Sequence, residues 1–424
     1  MKEKRLINKK NLSQYVLIRK ENVMKRRYVF LRMIALVSIM ILLGSIPSYA
    51  EKARGVTDDT IKIGHFVDMT GVAAAVGIPV TNGIKTHFQN INDQGGINSR
   101  KVKFIAEDDH YTIPGAFAAF KKLIFKDEVL SILTVGGTGQ SFALMRQIEE
   151  HKVPVITASA AEGLTTPVKR YVFTPMASYD DGLRLIIDYI MKDLKAKNPK
   201  IALVCPDNEV GKTGLRAIEK YLSKYNLKLS NKTIINFGEI DATSQVLLLI
   251  KENPDYIILH EVVGGVISFF KAAKRYGLRS KVLGSFYVSD EDNIKVIGDA
   301  MKDALVTSSI GYWDDNAPGM AELRKITKKY DPETKWMTKS YIEGYHAAMV
   351  CVEGLKRAGR NLNHETLVEA YETFKDFNTG EISGHVSYSK NNHKGGTTNK
   401  LYKVDLKNQT FMPITEFREP AFKD

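Results

Sequence analysis

Three short stretches carry residue types that could do chemistry. Asp108, Asp109 and His110 close 101-KVKFIAEDDH-110, His260 and Glu261 close 255-DYIILHE-261, and 136-GGTGQS-141 is rich in glycine and hydroxyls. The acid-acid-His run suggests a metal site. Adjacent residues on a strand point to opposite faces, so the three cannot converge on one ion. They read better as solvated acids at a strand end. His260-Glu261 opens an H-E-x-x-H pattern, but Gly264 stands where the second histidine belongs, which rejects a zinc protease. The glycine stretch lacks the G-K-[ST] ending of a Walker loop, and Phe142 stands where a dinucleotide fingerprint needs glycine. It keeps backbone N–H and hydroxyl donors ahead of a helix start, which suits a carboxylate, and it reads equally well as a plain turn. No G-x-S-x-G elbow is present. Cys205 and Cys351, the two cysteines, sit in an apolar strand pattern and an apolar helix face, where small buried thiols are more usual than a bridge. No Cys/His spacing suits a metal, and no cofactor is implied.

These residues are positioned by an alternation of periods. The β-branched run 60–68 precedes a helical pattern with Ile84, Phe88 and Ile91 on one face. Strand and helix patterns then alternate through 101–109, 114–127, 130–136, 140–151 and 153–159, and restart after 171–178 as a second set reaching 281–286. That pattern predicts an α/β fold of parallel βαβ units in two sets. Gly95 and Gly96 end the first helix, where positive φ is needed. In open α/β sheets ligands bind outside the carboxyl ends of the strands. The loops 68–77, 136–141, 159–165, 206–211, 260–265 and 285–290 therefore become two facing sets of candidate contacts.

Composition points the same way. The chain has 424 residues, is 44% hydrophobic and 26% charged, and carries a formal +13. Residues 1–50 supply eleven Lys/Arg against two acids, leaving about +4 for the rest by the same count, which argues little for nucleic acid. The basic stretch 25-KRRYVFLR-32, the apolar run 33–46 and the small Ser48 and Ala50 read as a signal peptide ending at Ala50. The run is short for a membrane span, and the competing reading is an uncleaved anchor. Met24 would make a more usual signal start, with residues 1–23 then lying upstream of it. A cleaved signal implies a periplasmic product.

The stretches 55-GVTDDTIKIG-64, 69-MTGVAAAVG-77, 90-NINDQGGINSRKVKF-104, 152-KVPVITASA-160 and 171-YVF-173 resemble the branched-chain amino-acid-binding proteins of bacterial ABC importers, which are type I periplasmic solute-binding proteins. The resemblance covers roughly residues 55–415. It implies two Rossmann-like lobes with parallel-sheet cores, joined by three crossovers near Pro175, Val306 and Gly384. Residues 51–175 with 306–384 would form lobe I, 176–305 with 385–415 lobe II, and 416–424 a C-terminal tail. It also implies that a ligand carboxylate meets donors at Gly137 and Thr138 and at Ser159, Ala160 and Ala161, with Thr70 and Gly71 from the first loop. The chain departs from the family where a tyrosine is replaced by Val76, another by Val210, and an aromatic by Val262. Phe286 stands where an acid would pair with the ligand ammonium.

A desolvated ammonium without a carboxylate partner is costly. An α-amino acid would therefore need Glu209, Glu261 or Asp290 as a substitute. Otherwise the ligand is a carboxylate with an aromatic or aliphatic body, with Tyr111, Tyr287 and Tyr312 as candidate contacts. The expected function is that of an exported solute-binding protein delivering such a ligand to a membrane ABC permease. Two alternatives stand beside it. One is a ligand-sensing module of a signalling or chemotaxis system, which an adjacent permease gene would argue against. The other is an enzyme on a Rossmann-like scaffold, for which no nucleophile–base set can be named.

Overall fold

A computed structural model describes residues 53–422 apart from Gly136 and Phe237, and residues 17–33 apart from 18, 22 and 29. The chain divides into two units, Met1–Lys52 and Ala53–Asp424. In the first, the described residues are helical and exposed. Most of the apolar run and the expected cleavage point at Ala50 lie outside the described residues. No helix among the described residues is long and apolar enough to cross a membrane.

The second unit holds two sheets. Strands β1 (Thr60–Val67), β2 (Lys101–Asp108), β3 (Ser131–Val135), β4 (Val155–Ile156) and β5 (Val172–Phe173) form a parallel sheet in the order β2-β1-β3-β4-β5. The second sheet is made by β6 (Ile201–Cys205), β7 (Asn231–Ile234), β8 (Tyr256–Leu259), β9 (Lys281–Gly284), β10 (Leu305–Ser308), β11 (Lys400–Asp405) and β12 (Thr410–Pro413), in the order β12-β11-β10-β9-β8-β6-β7. Only its β10-β11-β12 edge is antiparallel. The helices between them are α1 (Ala74–Asp93), α2 (Ile113–Lys121), α3 (Thr138–Glu150), α4 (Tyr179–Asp188), α5 (Glu209–Ser223), α6 (Thr243–Glu252), α7 (Val263–Tyr276), α8 (Glu291–Ile297), α9 (Pro318–Tyr330), α10 (Lys339–Ala358) and α11 (His364–Glu372).

Helices cover both faces of the second sheet, as parallel strands require. Ala202, Val204, Ile257 and Leu259 pack into the core on one face, while Ile201, Leu203, Cys205 and Ile258 pack into the core on the other. Cys205 and Cys351 are unpaired thiols buried in separate cores. Gly95 and Gly96 take φ of 105° and 84° and end α1. A Cβ on Gly96 would sit 2.0 Å from the Arg100 carbonyl, so the turn into β2 needs glycine for space as well as for φ.

Val306 lies within β10 of the second sheet, while Ile310, Trp313 and Met320 pack into the first core. Val386 and Tyr388, beyond Gly384, also pack into the first core, and the chain rejoins the second sheet at Lys400. The stretch 380–389 makes isolated bridges, Ile310 with Ser383 and Phe377 with Val386, and no continuous strand. A third bridge joins Thr174 to Lys394, so the connecting segments run against one another. The 416–424 tail is anchored as far as it is described: Arg418 forks onto Asp193 at 3.0 and 2.9 Å, and the Phe422 N–H donates to the Tyr221 hydroxyl at 3.1 Å.

One packing contact sets the depth of everything near the first sheet. Helices α1 and α10 cross at two glycines. A Cβ on Gly83 would meet the Tyr341 carbonyl at 2.0 Å, and one on Gly344 would meet the Val80 carbonyl at 2.0 Å. Both obstacles are backbone, which cannot swing aside, so Gly344→Ala must push the helices apart. The expected cost is about 3 kcal/mol, the upper part of the usual overpacking range. Gly139→Ala in α3, where a Cβ meets nothing within 4 Å, is the control and leaves stability unchanged or slightly raised. Urea unfolding of both variants checks this.

Candidate functional site

A cavity of about 290 Å³ opens where the strand ends of the two sheets face each other. The first lobe contributes Val67 at the end of β1, Tyr111 after β2, Gly137 after β3 and Ala158 after β4. The second contributes Gly238, Val262 and Tyr287 from loops beyond β7, β8 and β9. Helix α1 lays Val76, Gly77 and Val80 along one wall at helical spacing, with Ala73 just ahead of it. Helix α10 adds Glu343.

The first loop is folded by an acid that never reaches the cavity. Asp68 is fully buried, and its carboxylate accepts from the N–H groups of Thr70 (3.3 Å), Gly71 (2.6 Å) and Ala73 (2.6 Å). The Thr70 hydroxyl donates to Asp108 Oδ2 at 2.6 Å. Thr70 and Gly71 therefore shape the loop, and neither is among the cavity's lining residues. Glycine is required at 77, because a Cβ there would lie 1.8 Å from the Asp68 carbonyl.

After β2 the chain takes two successive left-handed residues, His110 at φ 52° and Tyr111 at φ 54°. Such strain in non-glycine residues gathers at functional sites. Here it aims Tyr111 into the cavity, against Gly137, where a Cβ would meet the Tyr111 ring at 2.7 Å. Asp109 is not the solvated acid that the strand-end reading expects. It is fully buried, accepts from the Tyr111 N–H at 3.0 Å, and burial pushes its carboxyl up to about 6. Among the described residues no cluster of His, Cys, Asp or Glu could hold a metal ion.

Gly137 precedes α3, whose first-turn N–H groups lack helical acceptors. The Thr138 and Ser159 hydroxyls are buried and share a 2.8 Å hydrogen bond, which joins the loops after β3 and β4. Ala160 and Ala161 are buried, and the Ala160 carbonyl accepts from the Tyr179 N–H at 2.9 Å.

On the second lobe, Val262 lines the cavity and Val210 does not; the buried Val210 offers its carbonyl to His260 Nε2 at 3.1 Å. A carbonyl only accepts, so Nε2 carries the ring proton, and burial lowers the imidazole to about 4. Glu261 is buried off the cavity, accepts from the Val262 N–H at 3.1 Å, and is pushed up to about 8 by burial. Glu209 is a half-buried helix-start acid paired with Lys212 at 3.3 Å. Asp290 caps α8 and accepts from the Ser340 hydroxyl at 2.8 Å. Tyr312 is buried in the second core with its hydroxyl on the Ser289 carbonyl at 2.8 Å. None of these four is among the lining residues.

Phe286 is buried, and its ring lies 3.5 Å from Lys339 Nζ, a cation–π contact. That ammonium also donates to the Phe286 carbonyl and to Ser289 Oγ at 3.0 Å. Tyr287 lines the cavity and hydrogen-bonds through its hydroxyl to that of Tyr179 at 2.6 Å. One turn along α10 from Lys339, Glu343 enters the cavity. It is 3% exposed, and burial raises its carboxyl to about 7, an effect that Lys339 opposes and Asp290 reinforces. The sequence reading passes over Glu343. Its signal is a Lys339/Glu343 pair at i, i+4 inside an otherwise apolar helix.

Two lobes with parallel-sheet cores and a cavity between their strand-end loops define a type I periplasmic binding protein. The periplasmic binding protein family model matches residues 60–410, and the chain belongs to that family. It is 24% identical over 299 residues to the Leu/Ile/Val-binding protein of Escherichia coli K12, covering 69% of this chain and 79% of that one. It is 22% identical over 341 residues to Leu/Ile/Val-binding protein homolog 7 of Brucella suis, covering 77% and 82%. Among solved structures, a branched-chain amino acid ABC transporter protein of Thermus thermophilus with bound valine superposes with a TM-score of 0.79 at 23% identity, covering 86% of this chain and 98% of that one. A fatty acid ABC transporter substrate-binding protein of Thermomonospora curvata gives a TM-score of 0.79 at 22% identity, covering 88% and 96%.

Glu343 has a stability consequence. A carboxyl raised by folding from 4.5 to about 7 holds its proton longer in the folded than in the unfolded state. The ligand-free protein therefore loses stability as pH rises between those values, by at most about 3 kcal/mol. Glu343→Gln removes that loss. Its melting temperature relative to wild type is expected to be higher at pH 8 than at pH 5, measured by scanning calorimetry without ligand.

Proposed function

We propose that the chain is the exported solute-capturing protein of an ABC importer. It takes a small carboxylate-bearing molecule with an apolar body into the interlobe cavity and presents it to a membrane permease, and it performs no chemistry on it. The observation that carries this reading is the cavity itself, lined from both sets of strand-end loops, so that a bound molecule touches both lobes at once. The lobes close on it by bending at the connecting segments near Thr174, Ser309 and Lys394. The apolar wall from Val72 to Val80 takes the body of the ligand. The start of α3 takes its carboxylate, with Thr138 and Ser159 as neighbouring hydroxyls. The names of the relatives support this: one structural neighbour holds valine, and another is the substrate-binding protein of a fatty acid ABC transporter.

Val76 and Val262, where the resemblance implies aromatic residues, give the cavity small apolar side chains instead. Removing the hydroxyl pair tests the carboxylate subsite. Thr138→Val with Ser159→Ala is expected to weaken ligand binding at least tenfold while the far-UV spectrum and cooperative melting persist. An unchanged affinity in titration calorimetry would overturn the subsite. Thermal shift with branched-chain amino acids beside aromatic and aliphatic carboxylates supplies the ligand, because a molecule that binds only the folded form raises the melting temperature by mass action.

A further inference from the structure

Resting on the capture reading above, we propose that Glu343 is the counter-charge for a cationic nitrogen on the ligand. It replaces, from a helix of the other lobe, the acid that is missing at Phe286. The solute class is then an amine-bearing molecule with an apolar body, and not a bare carboxylic acid.

The geometry carries this in three steps. First, Glu343 is the one carboxylate among the cavity's described lining residues, and it is 3% exposed. Its neighbours there are apolar or phenolic: Val76, Val80, Tyr111 and Tyr287. Second, its carboxylate is unsatisfied by the protein. No hydrogen bond to it is found among the described residues, and only the charges of Lys339 and Asp290 act on it. A buried carboxylate without hydrogen bonds is costly, and a ligand cation placed in the cavity relieves that cost.

Third, the surrounding charges do not balance without one. Lys339 is the single cation of a buried group that also holds Asp290, Glu291 and Glu343. Its ammonium is already bound to the Phe286 carbonyl and Ser289 Oγ, and it compensates Asp290, to which Ser340 also donates. Glu291 accepts from the Lys339 N–H at 2.9 Å, and burial pushes its carboxyl well above the usual carboxylate range. Tyr287 and Tyr179 face Glu343 as neutral phenols, since burial raises both hydroxyls. Helix α1 presents only apolar side chains to the cavity. What remains is a carboxylate that shares this one ammonium with Asp290 and faces the cavity with no hydrogen bond of its own among the described residues. An ammonium beside it would be held by charge and by hydrogen bonds at once.

The sign of the proton linkage separates this from the opposite arrangement. An ammonium binds the ionised Glu343, so binding expels a proton and tightens as pH rises through about 7. A ligand carboxylate at the same place would need Glu343 protonated, would take up a proton, and would bind more weakly as pH rises.

The experiment is titration calorimetry of the wild-type mature protein at pH 6 and pH 8, repeated at pH 7 in two buffers of different ionisation enthalpy. The probes are leucine and phenylalanine, their deamino acids 4-methylpentanoate and 3-phenylpropanoate, and their decarboxylated amines. The expected result is binding of an amine-bearing probe about tenfold tighter at pH 8 than at pH 6, with proton release. Glu343→Gln should lose that pH dependence and at least tenfold of the affinity at pH 8. Binding by an amine lacking the carboxylate would uphold Glu343 and overturn the carboxylate half of the capture reading. Binding by the deamino acids alone, with proton uptake, overturns the role of Glu343 and leaves capture standing. No binding by any probe overturns both.

Discussion

The close crossing of α1 and α10 is the constraint on which the site depends. Two glycines, Gly83 and Gly344, let the backbones approach to distances that any Cβ would forbid. That approach carries the Val76–Val80 wall and Glu343 to the same cavity, although more than 250 residues separate them in the chain. A wider crossing would withdraw Glu343 from the wall and leave a pocket with no charged lining residue.

Polarity in this site is managed at a distance. Asp68, Asp109 and Asp108 spend their carboxylates on backbone N–H groups and the Thr70 hydroxyl, and they set the shape of the loops without touching the cavity. His260 does the same on the other lobe, joining the Val210 carbonyl to Ser285. The result is a cavity lined largely by small apolar residues, with these polar groups set behind it. Lys339 lies over the Phe286 ring, and Glu343, one helical turn along α10 from Lys339, is the charged residue among those lining the cavity.

Much of the frame was legible in the chain. The strand and helix periods between 60 and 286 correspond closely to β1 through β9 and the helices between them, because half-buried helices and parallel strands leave strong apolar signatures. The rule that ligands sit at strand carboxyl ends pointed to loops of which Val76, Tyr111, Gly137, Val262 and Tyr287 line the cavity, while Thr70, Gly71, Thr138, Ser159, Val210 and Glu261 are not among its lining residues. The region beyond 300 was less legible. Its strands β11 and β12 are short and antiparallel, and the 380–389 stretch has strand-like composition yet forms only single bridges. Composition reports what a segment can pair with, and the partner itself is a tertiary fact.

The sequence by itself determined the class of fold, the family pattern and the loops that face the cleft, since these follow from local periodicity and turn chemistry. Tertiary structure alone decided which polar groups are free to act. Asp109, Glu261 and Asp290 look as available in the sequence as Glu343, but folding turns their carboxylates onto backbone and side-chain donors off the cavity. Glu343 looks like one more helical acid, and only the packing of α10 on α1 exposes it to the cavity. A carboxylate's role depends on what desolvates it and what satisfies it, and neither is a property of its neighbours in sequence.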